Sequence, residues 1–438
     1  MSTTLAVRLL LSSAGESNDA VIVGDILSAD LSGESRRNIL IPCGSSPRPT
    51  AYEVPPGRYL VSATLPSGLV LTENAVAVAG KETPVEFVMT DSPYETHSWQ
   101  YLMGNIEPGR VYHSPAEVPL AESVASRSMA AASRTAPPAA STARPDGAAP
   151  ETAVELTGLA TWVGDAAPER CTFAAVLALA EAPPDRPVAR LLARGEPRPL
   201  PAPDVRGEEV TPLYRFGPDG PVGSPGEPPG DRQFLVVEFA GSVRLVTLPL
   251  PWRRREVEVL VNLRQSPTGS AVSVAVRDPA VGAGLAYMSQ GALDMAAELF
   301  TDVEEMLYSK FQNPLAAAAG AYVLIGTDHS RGETYWDPWL EHLADSFPRI
   351  GDGAILRAVR LLRRASPDRE QARERLIEAF DRGIPYYTLG LIWLVDGLSA
   401  FPDDPACARR LDEARRLSWL ADMREPFLIL DLRQRSAR

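Results

Sequence analysis

About forty residues, from roughly His113 to Glu155, consist mostly of Ala, Ser, Pro, Thr and Arg, and this tract constrains the fold more than any other feature. Its centre, Ala121 to Pro150, lacks the apolar surface needed to offset the entropy of ordering a chain, so it is expected to be disordered. Treated as a flexible coil, about thirty-five such residues span on the order of 30 Å. A β-patterned segment precedes the tract and everything else follows it. The 438 residues are enough for two to four domains. The expectation is therefore a multidomain chain with β and α segregated, not one catalytic globule. Four segments are expected: a small antiparallel β-sandwich over 1–91, a disordered linker over 92–153, a β-rich domain over 154–280, and an α-helical hairpin array over 285–438.

In the first segment the apolar residues alternate. Leu5, Val7, Leu9 and Leu11 point one way, Val21 and Val23 follow, then Tyr59, Val61, Ala63 and Leu65, then Val85, Phe87 and Met89. Short strands at this spacing predict a sandwich. Farther on, Phe234–Phe239, Val243–Leu248, Val257–Leu263 and Val272–Val276 read as strands, with a Pro/Gly-dense loop between Glu196 and Asp231. The run Cys171–Ala182 fits either helix or strand, and its β-rich surroundings favour strand.

From about Leu285 the period becomes 3.6. The stripes are Met295/Leu299/Val303/Met306, Leu340/Leu343/Ala344/Phe347, Ile355/Val359/Leu362 and Ala372/Leu376/Phe380. Asn313-Pro314, Asp337-Pro338, Ser366-Pro367 and Asp404-Pro405 each read as a capping side chain before a first-turn proline. Leu315–Ile325 and Tyr386–Leu398 are apolar on nearly every side. Each holds a glycine, Gly320 or Gly390, where a neighbouring helix could approach. About seven helices are expected, without a regular repeat.

Two stretches carry family resemblances. Val54-Pro55-Pro56-Gly57-Arg58-Tyr59, followed by strand, turn and strand, resembles the prealbumin-like sandwiches called carboxypeptidase regulatory-like domains, which implies a fold and no activity. Lys310-Phe311-Gln312-Asn313-Pro314, Asp352-Gly353-Ala354-Ile355 and Asp381-Arg382-Gly383-Ile384-Pro385 together resemble helical C-terminal regions of uncharacterised bacterial proteins. Some of those accompany caspase-like peptidases in defence loci. The resemblance implies a protease, or another component of a bacterial conflict system, as the partner class.

Composition narrows the function classes. The net charge of −13 disfavours a general nucleic-acid role, which needs a positive field. Only Lys81 and Lys310 are lysines, so nearly every basic residue is arginine. The three cysteines lie in three different segments, which favours a reducing compartment. The N-terminus lacks a basic region, and Arg8 interrupts its apolar run. The most hydrophobic stretches fall short of the roughly twenty residues of a bilayer span. A cytoplasmic location without membrane contact is expected.

The chemistry-bearing residues form no constellation. Cys43 could act as a nucleophile only with a base such as His97 or His113, and an incidental buried cysteine is the simpler account of it, as of Cys171 and Cys407. No metal-ligand spacing, P-loop or dinucleotide fingerprint occurs, so no cofactor is expected. Glu370, Glu374 and Glu378 lie beside Arg369 and Arg373 as a solvated, ion-paired face. Asp403 and Asp404 read as helix caps. Arg357, Arg360, Arg363 and Arg364 would either contact an acidic partner or pair with the glutamates of the next helix, and pairing is preferred. Tyr335-Trp336-Asp337-Pro338-Trp339 is the richest aromatic cluster; Trp339 shares the Leu343 stripe and reads as core. The protein-interaction candidates are therefore Trp336, Tyr335, Arg357, Arg360 and Arg364, with no catalytic, cofactor or metal residue named.

The expected function is non-enzymatic scaffolding or regulation through protein–protein contact. A cysteine-dependent hydrolase or peptidase assembled only in the fold is the alternative. A sandwich gripping carbohydrate or a peptide strand would need exposed aromatics, for which Tyr52, Tyr59 and Phe87 are too few.

Overall fold

Alternation in the first segment does produce strands: β1 (Thr4–Leu11), β2 (Ala20–Ser28), β3 (Arg36–Gly44), β4 (Thr50–Glu53), β5 (Gly57–Thr64), β6 (Val70–Ala77) and β7 (Glu82–Met89). The structure is a computed structural model. It describes residues 3–11, 20–29, 34–66, 68–89, 160–182, 187–196, 198–205, 212–217, 232–239, 242–253, 255–261, 272–278, 281–300, 302–330 and 332–432. The expected linker over 92–153 and most of the Pro/Gly-dense loop lie outside these residues. The seven strands form one sheet in the order β4-β1-β3-β2-β5-β6, with β7 on β1. Leu5, Val7, Leu9, Ile22, Val61 and Phe87 fill its core. Pairing is mixed, not antiparallel throughout as expected. β1 runs parallel to β7 along its whole length, from Thr4 opposite Glu82 to Leu11 opposite Met89. It also meets the end of β3 in parallel. β7 reaches β1 only after five intervening strands, a parallel pairing that hairpin patterning does not reveal.

Tyr59 and Phe87 are core residues of this unit, 3% and 2% exposed, so neither offers a ring to carbohydrate or peptide.

The second β region holds two four-stranded sheets. One has the order β14 (Val272–Val276), β13 (Val257–Val261), β10 (Pro212–Phe216), β9 (Asp204–Val205), so the stretch between Glu196 and Asp231, read as loop, contributes two strands where Leu213, Tyr214 and Phe216 find a sheet to bury against. The other has the order β15 (Ile429–Asp431), β12 (Ser242–Leu248), β11 (Gln233–Phe239), β8 (Ala160–Val163). The strand β15 lies beyond all the helices in sequence, yet it pairs antiparallel with β12, Leu430 opposite Leu245. One hydrophobic cluster runs from Val163 through the helices to Leu432. The β region and the helical array, expected as separate units, share a core.

Cys171–Ala182 corrects the strand reading. It forms α1 (Phe173–Ala180), whose first turn is capped by the Thr172 hydroxyl accepting from the Ala175 amide at 3.3 Å. Its Ala/Leu composition suits a helix, and Phe173 stacks on Phe380 with ring centroids 4.2 Å apart. A short α2 (Val188–Leu192) follows.

Nine helices occupy 282–418 among the described residues: α3 (Gly282–Ser289), α4 (Leu293–Leu299), α5 (Val303–Tyr308), α6 (Pro314–Thr327), α7 (Asp337–Ser346), α8 (Gly351–Arg363), α9 (Arg369–Asp381), α10 (Thr388–Ser399) and α11 (Pro405–Ser418). Two more than the expected seven appear: the stripe read across Met295–Met306 belongs to two helices, broken between Leu299 and Val303, and α3 precedes every stripe read from the sequence. The apolar helices α6 and α10 are buried as expected. A Cβ on Gly320 would stand 2.8 Å from the Val303 carbonyl, so α5 does come close there.

Capping was partly legible. Asn313 accepts from the Ala316 amide at 3.0 Å, and Asp404 from the Ala406 and Cys407 amides at 2.7 and 3.0 Å. At α9 the cap is Asp368, two residues beyond Ser366, accepting from Gln371 at 3.0 Å. At α7 the cap position is Trp336, and Asp337 is already the first helical residue.

The N-terminal β unit rests on the array. Val23 and Thr64 are direct partners in the β2–β5 ladder, but the Tyr287 hydroxyl sits between them. It accepts from the Val23 amide at 3.2 Å and donates to the Thr64 carbonyl at 2.7 Å. Val23 faces away from the sheet core that holds Ile22, yet it is 1% exposed. Asn38, with φ 53°, adds a hydrogen bond to Glu298 on α4 at 3.2 Å.

Candidate functional site

Asp337 is freed from capping because arginines claim its oxygens. Arg360 donates to it at 3.0 and 3.2 Å, Thr334 donates its amide at 2.8 Å, and Arg357 and Arg364 stand at 3.7 and 3.4 Å. This cationic company holds the Asp337 carboxyl below its usual range despite opposing burial. Arg360 also reaches Asp328 at 2.8 Å and covers the Trp336 ring at 4.7 Å.

The five interaction candidates therefore divide. Trp336, Arg357 and Arg360 are 5%, 6% and 1% exposed and cannot meet a partner directly. Arg364, its side chain 17% exposed, pairs with Glu333 and Asp337. The pairing expected for these arginines exists, but with preceding residues (Asp328, Glu333, Asp337, Glu341) instead of the glutamates of α9. Two of those glutamates have nearer partners: Arg373 for Glu370, and Arg375 and Arg382 for Glu378. Of the five candidates, only Tyr335 is well exposed, at 67%.

Tyr335 belongs to a face that periodicity alone does not assemble. The Tyr308 ring meets Trp339 edge-on with centroids 4.8 Å apart, and Phe311 packs against Phe347 at 5.6 Å. Phe311 is 63% exposed and Trp339 40%. The Leu343 stripe predicts Trp339 in the core, but the buried side of α7 runs through Leu340, Leu343 and Ala344, leaving its ring at the boundary. The Tyr335 hydroxyl donates to Glu304, and its pKa is pushed up to about 12, chiefly by that bond. Asp302, Glu304 and Glu305 raise the Tyr308 hydroxyl too, behind a larger effect of burial. Large exposed rings clustered beside charge are the side-chain types that dominate binding hot spots.

Beneath this face lies Lys310, fully buried, its ammonium 4.2 Å from the Trp339 ring and 5.4 Å from Phe311. Its Nζ has no hydrogen-bond partner among the described residues. Burial lowers its pKa from the ordinary 10.5. Between the folded and unfolded values the unfolded chain binds more protons, so stability rises with pH across that window. We expect Lys310→Met to stabilise the fold by about 1–2 kcal/mol near neutral pH, since an unpartnered buried amine is replaced by a methyl-ended chain of similar reach. The same change should flatten the alkaline rise. Urea unfolding at pH 7 and pH 9.5 checks both, and a destabilised variant would show that the ring contacts outweigh desolvation.

The reactive groups do not converge among the described residues. Cys43, Cys171 and Cys407 are buried. Cys407, on α11, has its pKa raised, first by burial and then by Asp404. His97 and His113 lie outside the described residues. No group of His, Cys, Asp and Glu is arranged to hold a metal among the described residues. No helix there is long and apolar enough to cross a membrane.

Residues 283–428 match the family model described as the Y4kD C-terminal domain. The match begins within α3 and stops one residue before β15. It covers the helical array and leaves the β regions unmatched. No curated protein matches the chain. No solved structure matches it either.

Proposed function

We propose that this protein is a non-enzymatic scaffold or regulator whose helical array binds a protein partner through the face formed by Tyr335, Trp339 and Phe311. The exposure of these three aromatic side chains carries the reading; Trp339 and Phe311 both cover the Lys310 ammonium, and Tyr308 links Trp339 to Tyr335. A folded chain that leaves so much ring surface in water forgoes about 25 cal/mol for each Å² left unburied, an energy that a partner can recover. In this reading the N-terminal unit is a prealbumin-like sandwich held against the array at Tyr287 and Glu298, and the setting is the cytoplasm. The partner class is a protease or another component of a bacterial conflict system, as the sequence resemblance implies.

Quantitative affinity capture with the full chain tests this. Proteins enriched by the native chain should fall at least about ten-fold with Phe311→Ala/Trp339→Ala, the loss expected when hot-spot rings are truncated. Trp419→Ala, which removes an 83% exposed tryptophan outside the face, should retain them. Identical capture by all three chains would refute the interface. So would peptide hydrolysis by the full chain that disappears in Cys43→Ala, Cys171→Ala or Cys407→Ala.

A further inference from the structure

The face has a chemical sign. Asp302, Glu304 and Glu305 flank it, and their hydrogen bonds all go to uncharged groups: the Glu305 amide at 2.9 Å, the Tyr335 hydroxyl, and the Ser309 hydroxyl at 2.9 Å. None of the three forms an ion pair among the described residues. Elsewhere in the array several carboxylates are paired with arginines: Asp337 and Asp328 with Arg360, Asp345 with Arg375, Asp381 with Arg410, Asp404 with Arg373. The fields of the uncompensated carboxylates reach the rings, since all three act on Tyr308 and two of them act on Tyr335. Lys310 lies buried under Trp339 and makes no hydrogen bond to them among the described residues.

Resting on the scaffold reading above, we infer that the partner segment docking on Tyr335, Trp339 and Phe311 is a peptide presenting arginine side chains. Guanidinium is the group that fits both halves of the surface. Its plane stacks on an aromatic ring, and its fork of donors meets a carboxylate in two parallel hydrogen bonds. Acidic or purely apolar segments would leave the three carboxylates desolvated and unpaired. Glu304 already accepts from Tyr335, so an arriving arginine would meet a carboxylate held in place by its own neighbour.

Fluorescence anisotropy with the full chain provides the test. One labelled probe is an octapeptide with three arginines separated by leucine and proline. The other replaces each arginine by citrulline, which keeps shape and removes charge. The arginine peptide should bind at least about ten-fold tighter, and the difference should shrink as salt rises from 50 to 500 mM. Glu304→Gln/Glu305→Gln should remove most of that preference, and Phe311→Ala/Trp339→Ala should remove binding. Thermal unfolding of each variant, unchanged within a few degrees, confirms that the face and not the fold was altered. Equal binding of the two peptides, or a preference that survives the double glutamine change, overturns the inference. If capture of partners still depends on Phe311 and Trp339 in that case, the interface stands with a different chemistry; if it does not, the interface falls as well.

Discussion

Asp352→Ala should cost about 3–5 kcal/mol of stability, because it strips a buried hub of its acceptor. Asp352 is fully buried at the start of α8. It accepts from the Tyr322 hydroxyl at 2.8 Å, the Tyr386 amide at 2.8 Å and the Tyr387 amide at 3.3 Å. Truncation leaves three buried donors with nothing to meet, at about 1–3 kcal/mol for each group left unsatisfied. Asp352→Asn should also destabilise, since the amide nitrogen that replaces one oxygen would face a donor. Burial raises the Asp352 pKa above 3.8. The folded state therefore keeps its proton to higher pH than the unfolded chain, and this group's contribution to stability declines as pH climbs through that interval. Urea unfolding followed by tryptophan fluorescence measures the loss, and a cost below about 1 kcal/mol would mean that water replaces the carboxylate. Gly390 belongs to the same arrangement. A Cβ there would lie 2.5 Å from the Tyr322 hydroxyl and 2.6 Å from Asp352, so the hub fits only against a bare α10 backbone.

Tyr287→Phe should loosen the N-terminal β unit from the helices. The change keeps the ring and removes only the hydroxyl that bridges Val23 and Thr64. Both backbone groups are then left without that partner in a buried site, at about 1–3 kcal/mol. Hydrogen exchange at the Val23 amide should accelerate by at least about ten-fold, and residues of β2 and β5 should become cleavable before the array does. Unchanged exchange at Val23 would mean that β2 and β5 close directly over the gap. Burial pushes the Tyr287 hydroxyl well above the usual tyrosine range, so this pin keeps its proton throughout the range in which proteins are handled.

The parts of this architecture that depend on neighbours in sequence were legible. The strands around Val61 and Phe87, the buried helices of Leu315 and Leu391, and the caps Asn313 and Asp404 all follow from periodicity and first-turn chemistry. What escaped depends on distant partners. The side chain of Asp337 has the form of a cap, but Arg360, twenty-three residues on, takes both its oxygens. A cap and an ion-pair hub look identical until the third dimension supplies the arginine. Trp339 lies one position off the buried stripe, where a helix of ordinary pitch leaves a side chain half in water. Lys310 carried a signal that composition offered and pattern did not use: it is one of only two lysines in a chain with 43 basic residues. Nothing local marks Tyr287, whose role exists only because the sheet of residues 4–89 arrives from far upstream.

β15 is completed late. Its hydrogen bonds to β12 require Ile429–Asp431, and the entire helical array lies between those two strands. During synthesis the β12 border stays bare until the array has emerged, presenting unpaired amides and carbonyls to any extended chain nearby. A ribosome that stops before Ile429 would release helices able to pack among themselves, joined to a sheet with an adhesive margin. Shortened forms of this protein should therefore clump instead of simply unravelling.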